Sequence, residues 1–418
     1  MTRKRILYIN QYFKHAGEPG VTRSYWVCKR LIEEGYEVIM IAHRNMNHDF
    51  VEKDIPFLEI KNIDNIQVYY IKNTYDNNMN TFERIMSFVK FMLFSTWYAL
   101  KIKDVDLVIS TSTPLTVALP ALMRKLIHKT PYIFEVRDLW PEGPIQLGFI
   151  RNGLVIKVLR WFEALVYKKA VHVVALSPGM QEGVVKYIPE SKTSMIPNMG
   201  KNDRFWPRDI NPDALARFGL SPTSFKVIYF GTLGFANSIP YILDQIRYYN
   251  EHFDREAEFI FMGHGRHYKT VEDFISTHGV KNVKLIRRAT IDVVSDVLNC
   301  CHASLVTFLN IPILGTNSPN KFFDTLSAGK LVIVNNTGWI KDLIEKNRCG
   351  FYVDPDRPSD LAQLVYNLAG DRELVEEYGR NSRTLAENVF DKDILTEKYT
   401  DLVNRLLQHQ PLKKELNQ

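Results

Sequence analysis

Cysteine is scarce in this 418-residue chain. Cys28, Cys300, Cys301 and Cys349 form no Cys-x-x-Cys pair and no cluster with histidine, which argues against a disulfide framework and a zinc site. Long apolar runs are also missing. The one extended stretch, Ile85 to Leu100, is broken by Lys90 and falls short of the roughly 20 residues a spanning helix requires. The opening Met-Thr-Arg-Lys-Arg leads straight into a short strand without the apolar run of a signal peptide, so a cytoplasmic location is expected. Neither short-period repeats nor an aromatic-basic stripe occur, which counts against solenoids, propellers and nucleic-acid binding.

What is present is the composition of a soluble globular protein, 45% hydrophobic and 24% charged, with too much chain for one core. Two domains are expected. The net charge of +6 is unevenly divided: residues 1–205 hold 28 Lys+Arg against 20 Asp+Glu, and the remainder 25 against 27. The halves therefore carry +8 and −2. Contact of the basic half with an anionic membrane surface accounts for the asymmetry at least as well as nucleic acid does.

Strand-length apolar runs alternate with amphipathic segments, the pattern of a parallel sheet wrapped by helices, and predict an α/β fold. Strands are expected at 5–10, 37–42, 67–71, 107–110, 132–136, 172–175 and 193–196. After the turn-rich segment 197–207 the alternation restarts, with strands at 226–230, 258–262, 283–286, 303–306, 331–334 and 350–353. The restart divides the chain into domains at 1–200 and 201–389, with a C-terminal helix near 390–410 expected to pack back on the first. Ligands of such sheets bind beyond the carboxyl ends of the strands, so the loops there are where chemistry is sought.

Four loops stand out. Gln11 to Arg23 brings Gly17, Gly20 and Arg23 before a helix, where backbone N–H groups and a guanidinium can meet an anion. Gly263-His264-Gly265 follows a strand but lacks the third glycine of a dinucleotide fingerprint, which weakens the case for NAD. Glu135, Arg137, Asp138 and Glu142 crowd the end of an apolar strand, a costly arrangement unless the groups are paired or bind a ligand. Ser318-Pro319-Asn320-Lys321-Phe322-Phe323-Asp324 opens a helix with Lys321 and Asp324 at i and i+3, able to pair with each other or to serve a diphosphate and a ribose. No Asp-x-Asp pair or His/carboxylate cluster falls on these loops, so no metal and no other cofactor is expected.

The order and spacing of these pieces resemble family 4 glycosyltransferases of the GT-B fold over nearly the whole chain. Glu135-Val136-Arg137-Asp138-Leu139-Trp140-Pro141-Glu142 is similar to a signature of the N-acetylfucosaminyltransferases of O-antigen and capsule synthesis. Tyr229-Phe230-Gly231-Thr232-Leu233-Gly234, the Gly263 turn and Ser318 to Asp324 with Ala328-Gly329-Lys330 follow in the family's order. The resemblance implies two facing Rossmann-like domains with a cleft between them. It also implies retaining transfer of a sugar from a nucleotide donor, usually a UDP-sugar, to a lipid-linked or glycan acceptor.

Carried over residue by residue, the resemblance puts Gly20, Arg23, Gly231, Asn237, Gly265, Arg288, Ala289, Ser318, Asn320, Lys321 and Asp324 around the donor. Asp138, Arg137, Glu142 and Lys321 take the catalytic roles. Asp324 matches the second of two family glutamates and Thr316 replaces the first. Thr232 and Asn237 replace a family Arg and Lys, so Lys321, Arg23 or Arg288 must supply the cation for the diphosphate. The rival readings are a GT-B sugar-nucleotide epimerase and a catalytically silent sugar-nucleotide-binding scaffold.

The segment Glu83 to Lys103 is expected to be an amphipathic helix lying on the inner face of the cell membrane. Its apolar stripe is Ile85, Phe88, Met92, Thr96 and Ala99, widened by Phe91, Leu93, Phe94 and Trp97, with Lys90, Lys101 and Lys103 as cations.

Overall fold

The computed structural model describes residues 3–45 except Gly17, Pro19 and Val21, then residues 56–73 and 81–408. The first half runs β1 (Arg5–Ile9), α1 (Arg23–Glu33), β2 (Glu37–Asn45), β3 (Leu58–Ile63), β4 (Ile66–Asn73), α2 (Thr81–Lys101) and β5 (Leu107–Thr111). It continues through α3 (Ala118–His128), β6 (Tyr132–Val136), α4 (Glu142–Gln146), α5 (Gly153–Lys169), β7 (His172–Ala175), α6 (Pro178–Val185) and β8 (Thr193–Met195).

Beyond the connecting segment come α7 (Pro212–Phe218), β9 (Phe225–Thr232), α8 (Ile239–His252), β10 (Ala257–His264), α9 (Tyr268–His278) and β11 (Val283–Ile286). Next are α10 (Ile291–Asn299), β12 (Ala303–Val306), α11 (Asn320–Ser327), β13 (Leu331–Val334), α12 (Trp339–Lys346) and β14 (Gly350–Tyr352). The described chain ends on α13 (Asp360–Ala369), α14 (Arg372–Asn388) and α15 (Lys392–Gln408).

Two sheets result, ordered β3-β4-β2-β1-β5-β6-β7-β8 and β11-β10-β9-β12-β13-β14. Every described pairing is parallel except β3 with β4. The expected α/β architecture with two doubly wound sheets is therefore the one observed. The strand order reverses between β1 and β5 and again between β9 and β12, the switch points where such sheets open a crevice.

Strand β3 was absent from the sequence reading. It is an antiparallel edge strand turned into β4 by Asp64 and Asn65, whose φ values of 49° and 68° lie in the left-handed region these two residue types tolerate. Its side chains are half-buried or exposed, so no strong apolar alternation marks it.

The strands are buried on both faces, as parallel strands covered by helices must be: Ile6, Leu7, Tyr8 and Ile9 are 0% exposed. The core of the first sheet continues into the second half through Phe308, Ile313, Phe322 and Phe323. Helix α15 lies on α1, where Tyr36 donates to Asn404 Oδ1 at 2.5 Å and Lys4 to the Leu407 carbonyl at 3.2 Å. The two sheets are thus tied by the connecting segment and by α15; residues 409 and 410 of the expected C-terminal helix lie outside the described residues.

Candidate functional site

The carboxyl ends of the two sheets face each other across a seam that side chains hold shut. Ser177 Oγ donates to the Thr316 carbonyl at 2.5 Å, and the Ile313 N–H donates to Gln146 Oε1 at 3.1 Å. Asn198 clamps the loop before α11 twice, its N–H to Ser318 Oγ at 3.2 Å and its Nδ2 to the Ser318 carbonyl at 2.5 Å. Gly179 comes so near Thr316 that a Cβ there would stand 2.8 Å from the Thr316 Cγ2. Ser318 thus locks the seam rather than capping α11, whose first turn has no side-chain cap.

On the second-domain side, Gly231, next to last in β9, has a φ of +116°, and the Lys321 side chain lies directly over it. The Lys321 Nζ sits 3.6 Å from the centre of the Tyr229 ring, a cation–π contact, and makes no hydrogen bond to the protein. Burial lowers its pKa to about 7. The Lys321 ammonium is thus buried beside Gly231 with no hydrogen-bond acceptor from the protein.

The expected pairing of Lys321 with Asp324 does not occur. Asp324 is 6% exposed and turns to Lys201 of the connecting segment, whose Nζ donates to Oδ2 at 3.2 Å and lies 3.0 Å from Oδ1. Burial pushes the Asp324 carboxyl up while Lys201 pulls it down. Oδ1 is buried close to Lys201 and accepts no hydrogen bond.

Four of the expected site residues engage the protein itself. Arg23 is not a free cation for a phosphate: its side chain is buried against Glu135, with Nε to Glu135 Oε2 at 2.9 Å, Nη2 to the Ile196 carbonyl at 3.0 Å and Nη1 to the Pro197 carbonyl. Asn237 does not reach outward either, since its Nδ2 donates to Tyr229 Oη at 2.8 Å and to the Thr232 carbonyl at 3.2 Å. Gly265 is glycine because a Cβ would strike the Leu233 carbonyl oxygen at 2.7 Å, a demand of strand packing. Glu142 accepts a hydrogen bond from Gln146 at 2.8 Å and is ion-paired with Arg160 at 3.0 Å, and these hold its carboxyl below the usual range and make it a weak base.

Glu142 and Thr316 line a pocket of about 340 Å³ along the seam, between α4, α5, α6 and the 312–316 turn. Glu163 also lines it, and burial raises this carboxyl to about 7 although Tyr167 and Tyr187 hydroxyls donate to it at 3.1 and 3.0 Å. A hollow of about 610 Å³ lies between β8 and α15.

The first-domain side presents Asp138 and Arg137. Asp138 is open to water, yet protein crowds it enough that desolvation raises its pKa, against the pull of Thr113 and Arg137. Thr113 Oγ1 donates to Asp138 Oδ2 at 2.8 Å, and Ser112 Oγ accepts the Arg137 N–H at 2.9 Å. Thr113 and Lys201 are not among the residues expected from sequence; of these only Thr113 carries a signal, in the polar Ser-Thr-Pro stretch after β5.

Gly20 is exposed, with a φ of +130° that side-chain-bearing residues avoid. Its neighbours Gly17, Pro19 and Val21 lie outside the described residues. Arg288 is exposed just beyond β11, and Ala289 and Asn320 are half-buried. Among the described residues no group of three or more His, Cys, Asp or Glu is placed to hold a metal.

Residues 20–199 match the glycosyl transferase 4-like domain, and residues 224–371 match the glycosyl transferases group 1 domain. An uncharacterized glycosyltransferase of Methanocaldococcus jannaschii is 22% identical over 134 residues, 32% of this chain and 37% of that relative's length. Sucrose-phosphate synthase of Thermosynechococcus elongatus shares the fold with a TM-score of 0.76 at 14% identity, over 98% of this chain and 100% of that one. HepE of Anabaena in complex with UDP-glucose gives 0.69 at 15%, over 96% and 99%. WaaG, a glycosyltransferase involved in lipopolysaccharide biosynthesis, gives 0.67 at 14%, over 95% and 99%. The fold is GT-B.

Proposed function

The chain belongs to the glycosyltransferases of the GT-B fold, a 4-like domain followed by a group 1 domain, and from that premise we propose that it moves a sugar, with retention, from a UDP-sugar to a lipid-linked or glycan acceptor in bacterial surface polysaccharide synthesis. The Lys321 ammonium, buried on Tyr229 beside Gly231 without a hydrogen-bond partner, carries this reading. The diphosphate of the donor would supply the missing counter-charge, and charge growing on the departing phosphate would be met by a cation already in place. That cation does the work for which other transferases use a metal, so no metal and no other cofactor is proposed. HepE, recorded with UDP-glucose, and WaaG, with its role in lipopolysaccharide synthesis, suggest the donor and the setting.

Oδ1 of Asp324, which accepts no hydrogen bond from the protein, would take a ribose hydroxyl, with Lys201 fixing the carboxylate. Asp138, held by Thr113 and with an elevated pKa, would orient the acceptor hydroxyl, and Arg137 beside it would contact donor sugar or phosphate. With no nucleophile assigned, we take transfer as same-face substitution. The anomeric carbon–oxygen bond to the phosphate breaks as the acceptor oxygen bonds to that carbon, and the acceptor proton passes to the leaving phosphate. The test is mass spectrometry of products from a panel of UDP-sugars and lipid-linked acceptors in excess EDTA. Acceptor-dependent release of UDP supports the proposal, whereas donor conversion without acceptor would indicate an epimerase and binding without turnover a silent scaffold.

A further inference from the structure

Helix α2 turns inward the wrong residues for a helix that faces water. Its buried line is Ser87, Phe91, Ser95 and Ala99, while Phe82, Leu93 and Trp97 point outward, Phe82 at 71% exposure. Met92 and Thr96 are half-buried and Ala99 is buried, so the outward stripe differs from the one read in the sequence.

Helix α5 repeats the inversion. Leu154, Val158 and Trp161, spaced i, i+4 and i+7, are 73%, 54% and 64% exposed. Helix α3 packs between α2 and α5 and adds exposed Leu126 and Ile127. Right-handed crossovers into β5, β6 and β7, all advancing in one direction across the sheet, put the three helices on the same face. Scattered exposed apolar residues are ordinary, but a stripe on each of three adjacent helices is a surface built for a partner.

The charges on this face have one dominant sign. The acidic residue within α5 is Glu163, which is buried, and α3 has none. Lys101, Lys129, Lys157, Lys168 and Lys169 are exposed around the apolar stripes, and Lys101 lies over the Trp97 ring at 4.4 Å. Lys125 of α3 feels Lys169 and Lys192 as like charges, which add to burial in lowering its pKa. Glu83 and Asp104 are the acids at the two ends of α2.

We infer that α2, α3 and α5 together form a membrane-docking platform that seats on an anionic lipid bilayer, tryptophan and leucine entering the headgroup boundary and the lysines meeting lipid phosphates. The platform extends the docking surface from the one helix read in the sequence to a second, α5, whose N-terminus follows the loop that brings Phe149 within 6.0 Å of Phe235 across the seam. The purpose of docking rests on the lipid-linked acceptor proposed above; its test does not.

The test is flotation of the full chain with phosphatidylcholine vesicles, with and without phosphatidylglycerol, at low and high salt. Wild-type protein is expected to float with the anionic vesicles at low salt and to be released at high salt. Paired substitutions Leu154→Ser with Trp161→Ser, and separately Lys157→Glu with Lys168→Glu, are expected to weaken binding roughly tenfold or more. Circular dichroism and UDP titration check that these surface variants stay folded, and a wild type that floats but binds no UDP would sink the donor reading alone. Absence of flotation at low salt, or α5 variants that float like wild type, overturns the inference. So does sedimentation showing a dimer that the same α5 substitutions dissolve.

Discussion

Arg23 Nε lies 2.9 Å from Glu135 Oε2, with both side chains 1% exposed, and the same guanidinium reaches the Ile196 and Pro197 carbonyls at the end of the first domain. Glu135 is completed by Thr111, whose hydroxyl donates to Oε1 at 2.8 Å. The pair therefore binds α1, β5, β6 and the start of the connecting segment into one unit. Removing one partner of a buried pair leaves the other charged and alone, a cost of about 3–5 kcal/mol. Arg23→Met is expected to lower the midpoint of denaturant unfolding strongly while UDP affinity of the folded protein stays within about twofold of wild type. Calorimetry showing a large loss of UDP affinity at unchanged stability would return Arg23 to the donor site.

The case of Arg23 marks what a sequence can disclose. Strand positions follow from apolar runs bounded by turn residues, and all the expected strands are present, because burial on both faces leaves a local signature. Edge strand β3 has one face free and no such signature. Asp138 and Lys321 were legible as ionisable residues at a strand end and a helix start. Their partners were not: Lys201 meets Asp324 across 123 positions, and Arg23 meets Pro197 across 174. Local spacing suggested instead that Lys321 would pair with Asp324, but Lys321 rests on the Tyr229 ring. Contacts made only when two sheets close on one another have no period to read.

Asp324 tests the ribose assignment. Asp324→Asn keeps the shape of the side chain but removes its charge, and UDP binding is expected to weaken about tenfold or more, since hydrogen bonds to a charged group contribute about 1.5–3 kcal/mol each. The loss should be smaller for 2′-deoxy-UDP, which lacks one of the hydroxyls. Equal losses for both nucleotides would show that the carboxylate serves only Lys201.

Asp138 tests the acceptor side. Asp138→Asn should cut kcat about a hundredfold or more while leaving UDP affinity unchanged, as expected for a group that acts on the acceptor proton or its orientation. Thr113→Val, which removes the hydroxyl donated to Oδ2, should shift the acidic limb of the rate profile upward, because the hydrogen bond lowers the Asp138 pKa. A profile identical to wild type in the Thr113 variant would detach Asp138 from that limb.

Glu163 makes a prediction about stability alone. Its carboxyl is raised to about 7 by burial, so the folded state holds a proton that the unfolded chain releases near the ordinary glutamate pKa. The folded state thus binds more protons between these values, and its stability falls as pH rises through that window. Glu163→Gln should be more stable than wild type at pH 8 by roughly 2–3 kcal/mol, with the difference vanishing near pH 4. Urea titrations showing a constant difference across this range would contradict a protonated Glu163.

Titration calorimetry of UDP against wild type and Lys321→Met, in buffers of different ionisation enthalpy near pH 8, addresses the donor site itself. With a free-site pKa of about 7, Lys321 is largely neutral at that pH, and a diphosphate would restore its charge by drawing a proton from the buffer. The account predicts proton uptake on binding in wild type, affinity that falls as pH rises above 7, and at least a tenfold loss in Lys321→Met with no proton uptake. UDP binding of equal strength and equal proton linkage in the folded Lys321→Met protein would contradict it.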